Sequence, residues 1–329
     1  TRSATVTIPS DDPDENPYTF ALQGTGTFNS GAFPFRVQVQ FCGYGRDETL
    51  TNFPALVVLG SGVTNFDYNL FLSANAGDLR FTDGDMTRLL NHEVETWNTN
   101  GNSFVWVQVP GLAGSTSSVW AMWGNAAAAT TPAYATNGAT WSEGYVGVWH
   151  LGESSGAFRD SASTNNGTLT DANASSTRAT NSLVGRGIRF VGGEADFIEI
   201  ANETNFDFTT NLSLMVWARG LEGDAWAPWV SKRGEGGQGY ALRRRGGGTG
   251  PVEPDWVTRG TSSEEQNGPT IDNAGWHFVA GTYGYGVKRM FVDGAVGAQN
   301  LSASGSIIDT ADNLLIGART NSAAYWGGL

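Results

Sequence analysis

The stretch WHFVAGTYGYGVKRMFVDGAVG, residues 276–297, restricts the fold of this chain more than any other. Its first half alternates between two faces with period two, and Asp293-Gly294 stands where the turn of a β-hairpin belongs. A helix has no use for that period. Short stretches of the same kind recur from residue 30 to 140: FPFRVQVQF, FPALVVLG, LRFTD, HEVETW, SFVWVQVP and SVWAMWGN. Composition fits short strands joined by turns. Charged residues make up 16% of the chain, against roughly 25% in an ordinary soluble domain. The 45 glycines supply turns, and 12 Trp with 17 Phe demand burial, which excludes a disordered polar chain. The reading is all-β, with length enough for two domains.

A formal net charge of −13 repels nucleic acid and favours divalent cations. The basic run Arg243-Arg244-Arg245 precedes a glycine tract and reads as a solvated strand end. Cys42 is the sole cysteine, so no intrachain disulfide forms. His92, His150 and His277 are too scattered for zinc. No run of 18 apolar residues predicts a membrane span, and the N-terminus carries no leader pattern. The expectation is a processed chain or an internal piece of a longer one.

Residues 1–28 read as two strands around the acidic turn DDPDENP. They resemble the closing hairpin of Ig-like modules in choice-of-anchor bacterial surface proteins, which implies an incomplete module; the alternative is a hairpin that adds to a sheet of this chain or of a neighbouring subunit. Within residues 30–140, NFPALVVL, DLRFTDGDMTRLLNHEVETWN, FVWVQVPGL and VWAMWGNAAA resemble a domain family of unknown function that precedes LamG-like domains in bacterial envelope proteins. This part is expected to be a β-sandwich, and the Ala-rich AAAATTPAYATNGATW its exit. Residues 145–329 carry YVGVWHLGESSGAFRDSASTNNGTL, GRGIRFVGGEADFIEIAN, FTTNLSLMVWAR and NLLIGAR in the order of LamG-like, concanavalin-type jelly rolls. That resemblance implies a jelly roll whose last strand follows YWGGL and is missing here, leaving an edge open to a neighbour. Trp217 and Trp276 are expected in the core.

Glu194, Asp196 and Glu199, spaced E-x-D-x-x-E, resemble the catalytic strand of laminarinase-type glycoside hydrolases. Catalysis would need a β-bulge that turns Glu199 onto the face of the other two, with two carboxylates about 5–5.5 Å apart. The competing reading is a glycine turn carrying acids and then a strand, DFIEI, whose Ile198 and Ile200 point inward. Their burial, about 1.5–3 kcal/mol each, sets the register and sends Glu199 outward. The packing strand is the expectation.

Jelly rolls of this resemblance carry structural Ca²⁺, and RDSASTNNG offers Asp160, Asn165 and Asn166 as oxygen ligands; an ordinary polar loop reads equally well. TDGDMT, with Asp83 and Asp85, reads as an Asp-Gly turn. Glycan binding would use aromatic platforms, and Trp226, Trp229, Tyr283, Tyr285 and Trp326 are the candidates, with Tyr325 beside the last. The whole reads as a non-catalytic, extracellular adhesion or carbohydrate-binding segment of a bacterial surface protein. Its partners would be glycans or neighbouring domains and subunits. A fibre subunit completed by its neighbours, and a glycoside hydrolase, are the alternatives.

Overall fold

The structure is a computed structural model that describes residues 2–9, 17–24, 28–220, 222–233, 237–246, 251–259, 263–320 and 325–329. Strands and short 3-10 turns make up the regular structure, with no α-helix among the described residues. No helix there is long and apolar enough to cross a membrane. Two compact units divide the chain, Thr1–Ala135 and Thr136–Leu329. The division falls inside the Ala-rich exit, ahead of the boundary expected at residue 140, and the N-terminal hairpin is grouped with the first unit.

In the first unit, β1 (Arg2–Ile8) and β2 (Tyr18–Gly24) pair antiparallel from Arg2↔Gly24 to Ile8↔Tyr18. Most of the acidic turn between them lies outside the described residues. Next come β3 (Phe35–Gln40), β4 (Leu50–Leu59), β5 (Arg80–Asp83), β6 (Leu89–Leu90), β7 (His92–Thr96), β8 (Ser103–Leu112) and β9 (Ser118–Trp123). They form two sheets ordered β3-β9-β5-β6 and β4-β8-β7. Period-two alternation builds the core: Val105, Val107 and Val109 of β8 join Val57 and Leu59 of β4, Phe81 of β5, and Val119, Ala121 and Trp123 of β9. Pro54 lies on β4, an edge strand, where a missing N–H does least harm.

The D-x-R-F-T segment turns out to be structural. Asp78, fully buried, accepts the backbone N–H groups of Leu72, Ser73 and Gly124. Arg80 donates to the carbonyls of Gly77, Leu79, Ala128 and Thr130. Asp83 caps its turn by accepting from the backbone of Thr87 and Arg88.

The second unit holds β10 (Gly167–Asp171), β11 (Thr177–Asn181), β12 (Arg186–Arg189), β13 (Asp196–Ile200), β14 (Leu212–Ala218) and β15 (Glu222–Gly223). Then follow β16 (Pro228–Arg233), β17 (Gly239–Arg245), β18 (Glu253–Arg259), β19 (Ser263–Asn267), β20 (His277–Gly284), β21 (Val287–Val292), β22 (Ala295–Asn300), β23 (Leu314–Ile316) and β24 (Trp326–Gly327). A seven-stranded sheet, β10-β13-β23-β16-β17-β18-β19, and a four-stranded sheet, β14-β20-β21-β22, contribute the core between them. Asp293 and Gly294, at φ 50° and 81°, make the hairpin turn that the sequence predicts. Gly281 of β20 lies against the indole of Trp256, where an added Cβ would sit 2.4 Å from Cδ2. β14 is the outermost strand of its sheet, and the backbone of Leu329 pairs with that of Arg219 just beyond it.

Two core expectations fail. Trp217 faces away from the core, 46% exposed and beside Phe278, because Leu214 and Val216 take the inward positions of β14. Trp276 lies before β20 rather than in it, half-buried under the guanidinium of Arg219.

Candidate ligand-binding face

The seven-stranded sheet has a core side and an averted side, and the register separates them. Ile198, Ile316, Val230, Leu242 and Trp256 form one lateral row on the core side. Glu199, Leu315, Ser231, Ala241, Val257 and Glu265 form the matching row on the averted side. β13 pairs with β10 without a register shift from Gly167↔Ile200 to Asp171↔Asp196. No bulge therefore turns Glu199, and alternation places it opposite Ile198 and Ile200, both fully buried.

The three acids part company. Glu194 accepts from the Asn173 side chain in the turn. Asp196 is buried and accepts from the Ser175 hydroxyl at 2.6 Å. Burial pushes its carboxyl up, the Ser175 bond opposes, and the charge of Asp171 adds to the rise. Glu199 alone reaches the averted side, where the Asn313 amide donates to it at 2.7 Å.

Beside Glu199 a cleft of about 560 Å³ opens, lined by Phe197, Asn313, Leu315, Arg319 and Tyr325 among others, with Asp312 as its second carboxylate. Phe197 leaves β13 on the same side as Glu199. Its ring stacks with that of Tyr325, centroids 6.5 Å apart and 19° from parallel. Flat rings beside convergent acid, amide and guanidinium groups are what a sugar requires: its C–H face packs on the ring while the edge groups take hydroxyls.

Arginines flank the small-residue floor of Ser231, Ala241 and Val257. Arg243 binds buried Asp255 at 2.7 Å and shares Glu265 with Arg259, at 3.0 and 3.2 Å. Trp226, one of the predicted platforms, lies here, with the Arg243 guanidinium 4.6 Å from its ring centre.

The other predicted rings do not join it. Trp229, 1% exposed, and Trp326 are core residues. The register of β16 shifts between Pro228 and Val230, and that irregularity puts both Trp229 and Val230 against the core. Tyr283 is on the other sheet, its hydroxyl donating to the Gly305 carbonyl, and Tyr285 is 95% exposed at a hairpin turn.

Asp160, Asn165 and Asn166 do meet, but as a loop clasp. Asp160 accepts from the backbone of Val148, Ala162 and Asn165, and Asn166 Oδ1 accepts from the Asp160 N–H. Asn165 Oδ1 accepts from the amides of Asn202 and Asn205. Oxygens aimed at N–H donors do not fit a cation cage. No metal-binding group of His, Cys, Asp and Glu occurs among the described residues.

Phe197, Arg259 and Arg319 were missed as site residues from the sequence, whereas Tyr325 was named there beside the candidate rings. Phe197 on β13 and Arg259 on β18 carry only a signal of phase, each out of step with the inward residues of its strand; Arg319 lies outside the strands and carries none.

Fold and face together define a concanavalin-like jelly roll with a cleft on the averted side of its seven-stranded sheet. Residues 192–329 match the family described as the concanavalin A-like lectin/glucanases superfamily, Laminin_G_3. Residues 75–143 match a domain of unknown function, DUF2341. Among solved structures, the chain is similar to the binding domain of Paraclostridial Mosquitocidal Protein 1, at 12% identity over 54% of this chain and 46% of that one, TM-score 0.40. It thus spans less than half of that chain. It is also similar to domain 4 of AbnA, a GH43 extracellular arabinanase from Geobacillus stearothermophilus, in complex with arabinotriose (12% identity, 52% and 82% covered, TM-score 0.38). A third is the mouse laminin alpha1 chain, domains LG4-5 (12% identity, 89% and 80% covered, TM-score 0.32). No curated protein matches the chain.

Proposed function

We propose that the second unit is a non-catalytic, extracellular carbohydrate-binding module. The observation that carries this is the cleft on the averted side of the seven-stranded sheet, with Phe197 and Tyr325 stacked beside Glu199, Asn313 and Arg319. Only one acid of the E-x-D-x-x-E trio reaches the cleft, so the acid and nucleophile pair of a retaining glycosidase is not built from it. Calcium has no role in this reading.

The test is binding of a neutral and acidic oligosaccharide panel. Phe197→Ala and Tyr325→Ala should each weaken binding about tenfold, the loss of about 1–1.5 kcal/mol of ring contact, with melting temperature retained. Hydrolysis of any panel member that disappears in Glu199→Gln or Asp312→Asn overturns the non-catalytic part.

A second reading is assembly through the other sheet, favoured by Trp217 and Met215, exposed side by side on edge strand β14. Sedimentation equilibrium checks it: self-association that Trp217→Ser abolishes supports assembly.

A further inference from the structure

Trp226 is held in a backbone conformation that its side chain does not favour. Its φ is 65°, in the left-handed region where glycine sits without penalty and a bulky residue is an outlier. Packing does not ask for an indole there: the ring is half-buried and belongs to neither core cluster. Backbone strain kept for the sake of a surface ring points to a use for the ring.

The surrounding bonds fix that ring over β17. The Trp226 N–H donates to the Gly246 carbonyl at 3.2 Å, and the next carbonyl, that of Ala227, accepts from the Arg244 N–H at 3.1 Å. The guanidinium of Arg243 stands over the indole, 4.6 Å from its centre. Asp255 at 2.7 Å and Glu265 at 3.0 Å hold Arg243 in turn. One face of the indole is therefore backed by a clamped cation, which sets the orientation of the ring. Arg243, two residues on from Ala241, leaves β17 on the averted side, so Trp226 belongs to that side too.

The same turn is tied to the cleft. Asp224, two residues before Trp226, accepts from the Tyr325 N–H through its carboxylate at 2.9 Å. Its own N–H donates to the Tyr325 carbonyl at 3.1 Å, and its carbonyl accepts from the Ala227 N–H at 3.2 Å to close the turn. Tyr325 stacks with Phe197. Three rings thus stand on the averted side, from Phe197 on β13 through Tyr325 to Trp226 over β17. The strands β13, β23, β16 and β17 are consecutive in the sheet, so Phe197 and Arg243 are three strand spacings apart, about 14 Å. A single sugar packs on one platform and cannot reach both ends of that span.

We propose that Trp226 is a second saccharide platform, so that this face takes a linear oligosaccharide long enough to span both: one sugar on Phe197 and Tyr325, another further along the same chain on the indole. The proposal rests on the reading of the cleft as a saccharide site and names the length class of its ligand. Asp224 and Arg243 are positioning residues, the first joining the two platforms and the second orienting the indole.

The experiment is calorimetric titration of the full chain with cello-, laminari- and xylo-oligosaccharides, each series running from the monosaccharide to the hexasaccharide. In the series that binds, the hexasaccharide should bind about tenfold more tightly than the disaccharide, the worth of one added ring contact. Trp226→Ala should erase that gain and leave the disaccharide affinity unchanged, which also shows that the variant is folded. Trp226→Phe should keep most of the gain, and Trp217→Ala, on the other sheet, all of it. Tyr325→Ala should weaken every length. Trp226→Gly, which takes the left-handed φ without strain, should melt above Trp226→Ala and lose the same gain. Affinity independent of length, a gain that survives Trp226→Ala, or an equal loss at every length in Trp226→Ala overturns the second platform and leaves the cleft standing. Binding of no saccharide overturns both. Trp226→Gly melting below Trp226→Ala overturns the strained backbone from which the proposal starts.

Discussion

The ammonium of Lys232 meets the carboxylate of Asp207 at 2.5 Å, inside a cage completed by Glu203 and Asp309, both at 3.1 Å, and the Thr310 carbonyl. Lys232 is 1% exposed on β16. Burial would lower its pKa, but Asp207, Asp309 and Glu203 outweigh that and raise it. Three carboxylates and a carbonyl around one buried cation form the oxygen cage that the Asp160 loop is not, with a tethered ammonium at its centre.

Lys232→Met should therefore destabilise the second unit at neutral pH. The expected loss is about 2–3 kcal/mol, less than the about 3–5 kcal/mol of a fully buried pair because the carboxylates are partly exposed. The wild-type contribution is present below pH about 10.5, the unfolded value, and is lost as pH rises past it. In the variant, millimolar Ca²⁺ should restore part of the lost melting temperature and leave the wild type unmoved. Calorimetry of both proteins with and without Ca²⁺ checks this, and an unchanged variant melting temperature refutes it.

His92 predicts the acid limit of the first unit. Buried between Phe81 and Tyr134, its pKa is lowered to about 3 by burial and then by the charge of Arg80, with the Leu90 backbone opposing. The unfolded chain takes up this proton first, so stability is full above pH about 6.5 and declines as pH falls toward 3. At about 1.36 kcal/mol per pH unit the decline reaches about 5 kcal/mol at most. Urea midpoints measured from pH 7 to 4 should fall, and His92→Phe should flatten the slope.

Arg80 holds four carbonyls from two separate segments. Arg80→Met should lower the stability of the first unit by about 3 kcal/mol, because charge-assisted bonds are lost and buried acceptors left empty. Arg80→Lys should recover less than half of that, since one ammonium cannot reproduce the fork. Thermal melts of both variants provide the check.

Gly281→Ala should destabilise the second unit by about 1–3 kcal/mol, the usual range for overpacking. The new Cβ meets the Trp256 ring, and Trp256 is wedged in the core with its indole N–H donating to Thr282. The near-ultraviolet tryptophan signal should shift with the melting temperature. A variant of wild-type stability would show that the ring yields without penalty.

Strands and turns were open to sequence reasoning because period-two alternation and Asp293-Gly294 are local signals. Ile198 and Ile200 even fixed which way Glu199 points, which separates the E-x-D-x-x-E trio. Trp217 was misplaced because an apolar residue declares burial without declaring a side, and Leu214 and Val216 had the stronger claim. Trp229 was misread because the irregularity in β16 depends on its pairing with β17. Asp160 looked like a cation ligand because an aspartate that gathers N–H groups has the same neighbours in sequence. The network of Arg243, Asp255, Arg259 and Glu265 is a cross-strand property: its members lie on β17, β18 and β19 and meet only after the sheet forms.

The floor of Ser231, Ala241 and Val257 has one more consequence. Its strands are spaced about 4.8 Å apart by backbone hydrogen bonds, so the pitch of the arginines is ruled by the sheet lattice and is indifferent to the loops that join them. Relatives of this module can exchange those loops wholesale without altering where charge is presented. Change of charge would instead be written in substitutions at the core-averted positions of β16, β17 and β18.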